Sequence, residues 1–288
     1  MLLAVLLALG AGALFGFNVH IHRKGLDGAD GLTGAFLSVA SMAVCFWLIA
    51  PWVIQASWFS EPGMLIFAIA GIFFPAAGQT FQIFSVQRVG PALTAALGAF
   101  VPVLAAVPAI VFLGESFGLT QAFALTLMVG GLVLSAIPSR GISRGWPLWA
   151  LVFPLGAATV RGFSQPAIKL GMESVPSPFF AALIAGSVST VVLAAVVMTR
   201  DRGAGRIMAG GAAVRWFMLS GVINGFGILA LNGALSRGDV TVVAPLAATT
   251  PLWALLFGVA IFRRETLRPR NYLIAALVVT GAIILVTG

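Results

Sequence analysis

The stretch from Arg88 to Glu115 occurs twice in this chain, and that recurrence limits what the rest can fold into. RVGPALTAALGAFVPVLAAVPAIVFLGE (88–115) returns as RGDVTVVAPLAATTPLWALLFGVAIFRRE (237–265). Arg88 matches Arg237 and Pro102 matches Pro251 at one offset of 149, and one extra residue in the second copy brings Glu115 onto Glu265. Each copy holds an uncharged apolar run of about twenty residues, the length that crosses a bilayer as a helix. Each carries a proline near its middle and is followed by another apolar run, ending VGGLVLSA or TGAIILVTG. Duplicated spanning segments of this kind are the sequence pattern of membrane transporters assembled from internal repeats.

Composition points the same way. Of the 288 residues 60% are hydrophobic and 8% charged, with a mean hydropathy of +1.08, whereas a soluble domain carries about 25% charged residues. An all-α, multi-span membrane protein follows. The net charge of +8 is no nucleic-acid signal, because the cations fall in short loops that orient spans, and no nucleic-acid partner is expected. The single cysteine, Cys45, lies in an apolar run and packs as a small apolar residue. The opening MLLAVLLALGAGALFGF lacks the basic n-region and A-x-A site of a signal peptide, so it reads as the first transmembrane helix.

Hydropathy and its interruptions give ten spans: 2–21, 31–56, 62–87, 91–113, 117–137, 147–170, 177–198, 211–235, 240–262 and 270–287. The connections after spans one, three, five, seven and nine hold Arg23, Lys24, Arg88, Arg140, Arg144, Arg200, Arg202, Arg206, Arg215, Arg263, Arg264, Arg268 and Arg270. The even-numbered connections hold only Lys169 and Arg237. The positive-inside rule then places the odd connections in the cytoplasm and both termini in the periplasm of a bacterial inner membrane. Five spans per repeat is an odd number, so the second repeat (146–288) enters the membrane inverted relative to the first (1–140). GFNVHIHRKG (16–25) aligns with GFSQPAIKLG (162–171) at an offset of 146, so that Asn18 meets Ser164 and Arg23 meets Lys169. The expected architecture is two inverted five-helix repeats around a central cavity.

Helix breakers cluster in spans three (Pro75), four (Pro102, Pro108), six (Pro154, Pro166) and nine (Pro245, Pro251). Proline bends a helix and frees a carbonyl, which lipid tolerates only where protein or cavity water satisfies it. The matched pair Pro102 and Pro251 reads as hinges beside a cavity. Gly12/Gly16 and Gly221/Gly225 have GxxxG spacing and read as close helix contacts.

Polar groups in hydrocarbon are costly, so their positions mark a candidate site. Span one offers Asn18 and His20, span three Gln79 and Gln82, span six Arg161, Ser164 and Gln165, and span eight Asn224 and Asn232. These helices form two symmetry-related pairs, as a central cavity requires; for any single amide an ordinary interhelical hydrogen bond is the alternative. Arg161 lies deep in span six with no Asp or Glu in any apolar run. It either snorkels to the nearer interface or faces the cavity and pairs with an anionic group such as a carboxylate. Phe15, Phe17, Phe81, Phe100, Phe163, Phe226 and Trp253 are interleaved with these positions and could line an amphipathic pocket. Catalysis finds no support: there is no HExxH, no Walker A loop and no intramembrane aspartate pair. No metal site or cofactor is expected. His20 is the one intramembrane group expected to titrate near neutrality, so coupling through it or no coupling both stay open.

GFNVHIHRKG, the FLGE of Phe112–Glu115, the repeated proline-bearing segment and the terminal TGAIILVTG together resemble the drug/metabolite transporter superfamily, and within it the ten-helix EamA-type exporters. The resemblance covers essentially the whole chain and is carried by loose motifs. It implies a cavity lined by helices one, three, four, six, eight and nine, and export of amino acids, related metabolites or cationic drugs. The chain departs from the pattern at Arg263-Arg264-Glu265, which lacks the glycine before the glutamate. It also has Phe15, Gly16, Phe17 and Asn18 where the small multidrug relatives carry a buried glutamate on helix one.

The expected function is alternating-access export of neutral, bulky or aromatic amino acids by a monomer. The cargo would be bound by Phe17, Asn18, His20, Gln79, Gln82, Phe100, Arg161, Ser164, Gln165, Asn224 and Trp253. The alternatives are export of cationic drugs or other small metabolites and, from another class, a membrane-embedded enzyme.

Overall fold

The computed structural model describes residues 1–137, 146–201, 211–263 and 267–288. Arg140, Arg144, Arg202, Arg206, Arg264 and Glu265, which enter the charge and repeat arguments, lie outside the described residues, as does the expected junction of the repeats at 138–145. Among the described residues there are thirteen α-helices and no strand. They make ten passes: α1 (Leu2–Leu26); α2 (Gly31–Val53); α3 (Pro62–Gly71) with α4 (Gly78–Val89); α5 (Pro91–Gly98) with α6 (Val101–Leu113); α7 (Leu119–Ala136); α8 (Val152–Ser174); α9 (Pro178–Asp201); α10 (Gly211–Leu235); α11 (Val240–Ala247) with α12 (Thr250–Ala260); and α13 (Pro269–Thr287).

Nine of these passes are long and apolar enough to cross a membrane. The tenth, α8, is 23 residues long but carries Arg161, Ser164, Gln165 and Lys169, which lower its hydropathy. It is flanked by α3, α4, α5 and α6, so protein covers much of its surface.

Three passes expected as single helices are each divided in two. In the third, Pro75 has no N–H to give and Phe74 is extended (φ −139°, ψ 130°), which separates α3 from α4 over Ile72–Ala77. The fourth and ninth divide at Phe100 and Thr249, each immediately ahead of Val101-Pro102 or Thr250-Pro251. There each proline occupies the first turn of the second half, where a missing N–H is tolerated. Smaller differences fall at helix ends: the second pass stops at Val53, and the sixth begins at Val152 after one short turn, Leu148–Leu151, and runs on to Ser174.

The two repeats interleave. A Cβ on Gly16 would lie 2.7 Å from both Trp253 Cβ and Ala254 N, and one on Gly162 would lie 2.7 Å from Leu104 Cβ and 3.1 Å from Ala105 N. These are one contact seen twice, since Gly162 is Gly16 shifted by 146 and Trp253-Ala254 is Leu104-Ala105 shifted by 149. Likewise a Cβ on Gly25 would meet the Phe217 ring at 2.7 Å, and one on Gly171 would meet the Phe67 ring at 2.5 Å. The first helix of each repeat therefore packs on the third and fourth passes of the other. α2 with α9 and α7 with α13 pair across the pseudo-two-fold axis, the second pair tied by the Arg270 guanidinium donating to the Leu134 carbonyl. Small residues make this possible: Ala8, Ala11, Ala105, Ala109, Ala124 and Ala234 are fully buried, as close helix packing in lipid requires.

One asymmetry bears on function. Phe67 and Gly71 match Phe217 and Gly221 at an offset of 150, whereas Gly78 and Arg88 match Gly227 and Arg237 at 149. The first repeat thus carries one residue more across the break at Pro75, and its mate α10 runs unbroken. An inserted residue together with a proline accounts for a local opening of the helix.

Candidate functional site

The break in the third pass lies against α8. Arg161 Nη1 donates to Gln82 Oε1 at 3.0 Å, the guanidinium stands 5.6 Å from the centre of the Phe74 ring, and the stem crosses Gly78, whose absent Cβ would lie 3.4 Å from Arg161 Cγ. Gln82 is exposed and Arg161 half-buried, although Arg161 is nine residues along α8, about 13 Å from its start at 1.5 Å per residue. Ser164 Oγ donates back to the Arg161 carbonyl at 2.9 Å, which fixes that turn.

One turn further along α8 a cavity of about 40 Å³ is bounded by Met42, Phe74, Pro75, Ser164, Gln165 and Asn232, among others. It has room for a few water molecules. Gln165 Oε1 is buried there without a partner. Asn232, 4% exposed, donates from Nδ2 to the Pro178 carbonyl at 3.2 Å. A wider, open hollow of about 510 Å³ lies elsewhere, by Leu3, Val53, Trp58, Phe179 and Arg237, and holds none of the expected cargo-binding residues.

The remaining expected residues divide from this group. On α1, Phe17 packs edge-on to Phe257 (5.6 Å) and beside Phe262 (5.5 Å), and Trp253 stacks on Phe257 at 6.1 Å. His20, 6% exposed, donates from Nε2 to the Ala254 carbonyl at 2.8 Å and stacks on Phe262 at 4.4 Å. Asn18 Oδ1 is buried without a partner. Gln79 and Asn224 are half-buried, and Phe100 is exposed at the division of the fourth pass. The structure thus brings together Gln82, Arg161, Ser164, Gln165 and Asn232 around the broken third pass, and groups Phe17, His20 and Trp253 where α1 crosses α12.

Symmetry relates these groups. Arg161 is Phe15 shifted by 146, and Gly78 is Gly227 shifted by 149. Arg161 crosses Gly78, and the Phe15 ring crosses Gly227, where a Cβ would come within 2.5 Å of it. Equivalent places in the two repeats therefore hold a guanidinium and a phenyl ring.

A polar cluster that sequence reasoning left without a role joins the halves at the even-numbered connections. The Glu115 carboxylate, 3% exposed, accepts from Lys169 Nζ at 2.8 Å. It also accepts from Val240 N (2.7 Å), Thr241 N (2.9 Å) and Thr241 Oγ (3.0 Å), the first residues of α11. Lys169 reaches the Gly238 carbonyl (3.0 Å) and Asp239 Oδ1 (3.3 Å) as well. The signal available was the FLGE motif itself, but its partner lies 125 residues away.

Burial pushes the Glu115 carboxyl up, but the Lys169 ammonium and the N–H groups of Thr241 and Val240 outweigh it and hold the carboxyl below its ordinary value of 4.5. A carboxyl depressed on folding adds stability that is complete above its ordinary value and lost as pH falls through the lowered one. The thermal midpoint of the detergent-solubilised protein is therefore expected to fall on acidification below 4.5, and Glu115→Gln to remove that share of the fall. An acid profile identical in the variant would count against the cluster as the cause.

A profile of the EamA-like transporter family matches residues 2–137 and again 148–287. A relative from Sinorhizobium sp, described as an uncharacterized transporter in the cobO 3' region, is 33% identical over 144 residues, which span 50% of this chain and 98% of that one. A solved crystal structure superposes with a TM-score of 0.79 over 98% of this chain and 95% of the other at 14% identity, a likeness of fold. Two family matches laid over two interleaved five-pass units make this chain a multi-pass membrane transporter of small molecules that belongs to the EamA-like family of the drug/metabolite transporter superfamily.

Proposed function

We propose that the protein exports neutral amino acids with bulky or aromatic side chains across a bacterial inner membrane by alternating access. The observation that carries this reading is the Arg161–Gln82 pair at the broken third pass. A half-buried guanidinium and an exposed amide at that depth are costly against hydrocarbon, and a wet path between the repeats removes the cost. Arg161 stands beside the start of α4, the positive end of its dipole, so two positive features converge where a carboxylate gains most. The orphaned Gln165 Oε1, four residues on and hence on the same helix face, offers an acceptor for the cargo's ammonium. Phe15 and its neighbours on α1 supply the apolar wall at the equivalent place. The divisions ahead of Pro102 and Pro251 serve as hinges, and the 40 Å³ cavity is this path in a closed state. One chain supplies both walls, so the monomer is the working unit, and the cargo leaves chemically unchanged.

The test is counterflow in proteoliposomes over a panel of single amino acids. Saturable exchange of leucine, phenylalanine or tryptophan is the expected result. Transport of organic cations with no exchange of any amino acid would end this reading in favour of a drug exporter.

A further inference from the structure

We propose that Glu115 and Lys169 are positioning residues of the transport cycle, forming a latch that shuts the mouth at the even-numbered connections by gripping the first turn of α11. The inference rests on the protein being a transporter and not on the identity of its cargo. Glu115 follows α6 and Lys169 lies on α8, which packs against α6, whereas α11 packs on α1 and α10, so the bonds from Glu115 and Lys169 to residues 238–241 span the two bodies that must separate for that mouth to open. α11 is the short first half of the ninth pass and ends at the division before Pro251. Holding its first turn therefore fixes the segment that the hinge would release.

Three donors from α11 and one from Lys169 saturate the carboxylate in a site that is 3% open. Each of these is a charge-assisted bond, stronger than a neutral one. The facing groups are Lys169 from α8, Asp239 ahead of α11 and the N–H groups of Val240 and Thr241. Lys169 is shared between Glu115 and the more exposed Asp239, which gives it a second carboxylate to hold when the first lets go.

The opposite mouth is not built to match. The repeat equivalents of Val240 and Thr241 are Pro91, which has no N–H, and Ala92, which has no hydroxyl, so the first turn of α5 offers a carboxylate two donors fewer. The residue before it, Gly90, sits at φ +86°, unlike Asp239 at φ −74°. The two faces therefore close with unequal strength, and the latched state is the resting one.

Side-specific labelling tests this. In a Cys45→Ser background, Ser164→Cys places a thiol on the cavity wall, where the native side chain is 7% exposed. A membrane-impermeant maleimide is then applied from the even-connection face of oriented proteoliposomes. Slow labelling is expected in the parent and with Lys169→Arg, which preserves the ion pair. Labelling at least about tenfold faster is expected with Glu115→Gln and with Lys169→Met, corresponding to a shift of about 1.4 kcal/mol toward the open state. Equal rates in all four, with equal thermal midpoints, would overturn the latch. If Glu115→Gln fails to fold, Lys169→Met against Lys169→Arg gives the same comparison. No cargo is needed for labelling, so if the parent labels as expected while the protein with its native Ser164 and Cys45 exchanges no amino acid, the cargo assignment falls and the latch stands.

Discussion

Arg161→Ala is expected to cut kcat/KM for an amino-acid cargo by at least about a hundredfold, because removing one partner of a desolvated charge pair costs about 3 kcal/mol. The fold should survive. Among the described residues Arg161 makes one side-chain hydrogen bond, to Gln82, and a cation–π contact with Phe74, and an alanine there leaves no charge unpaired. Arg161→Lys should recover only part of the loss: an ammonium keeps the charge but not the planar fork that meets both carboxylate oxygens. Gln82→Leu should fall between, at about tenfold, since Gln82 occupies one of the five guanidinium N–H groups and aims the rest. Initial rates of counterflow in proteoliposomes measure all three, with circular dichroism and thermal midpoints as the check on folding. Unchanged rates in Arg161→Ala would mean that the side chain merely snorkels, and the carboxylate reading would be finished.

The prominence of Arg161 was legible in the sequence because a cation in an apolar run has few ways to be stable. Its partner was half legible. Gln82 stood out among the polar residues of span three, but the division of the third pass depends on one inserted residue that shows only when Gly71 and Gly78 are each matched to their own counterparts. The repeat itself was readable from Arg88 to Glu115, since offset and proline positions are local properties. Its interleaving was not, because crossings such as Gly162 on Leu104 join residues by shape and leave no periodic trace. His20 shows the limit from the other side. A histidine in an apolar run is a fair candidate for cargo or proton binding, yet here a carbonyl of α12 takes its Nε2–H and a ring covers its face. Glu115 looked like a loop residue after a helix, and its work is done for a helix that begins 125 residues later.

Gly221→Val should yield little or no folded protein. A Cβ at Gly221 would come within 2.0 Å of the Ser38 carbonyl oxygen and of Ser41 Oγ, and a backbone oxygen cannot rotate away. Room could come only from parting α2 and α10. That separation would stretch the bonds that Ser38 Oγ and Ser41 Oγ donate to the carbonyls of Phe217 (3.1 Å) and Met218 (3.0 Å). It would also loosen the seat of Met42, which lies 2.7 Å from the Cβ position of Gly225 one turn on. Overpacking alone costs about 1–3 kcal/mol, and stretching two interhelix bonds adds up to about 1 kcal/mol each, a sum comparable to much of a domain's net stability. The equivalent crossing in the other repeat, Gly71 on the Ala185 carbonyl at 2.5 Å, should respond in kind to Gly71→Val. Gly130 is the control: it lies in α7 with nothing within 4 Å of its Cβ position, so Gly130→Ala should be neutral or slightly stabilising through helix propensity alone. Yield and thermal midpoint on fluorescence-detected size-exclusion chromatography decide the matter. A Gly221→Val protein as monodisperse as Gly130→Ala would mean that α2 and α10 can part without loss, and that the close third-pass crossings do not hold the interleaved architecture together.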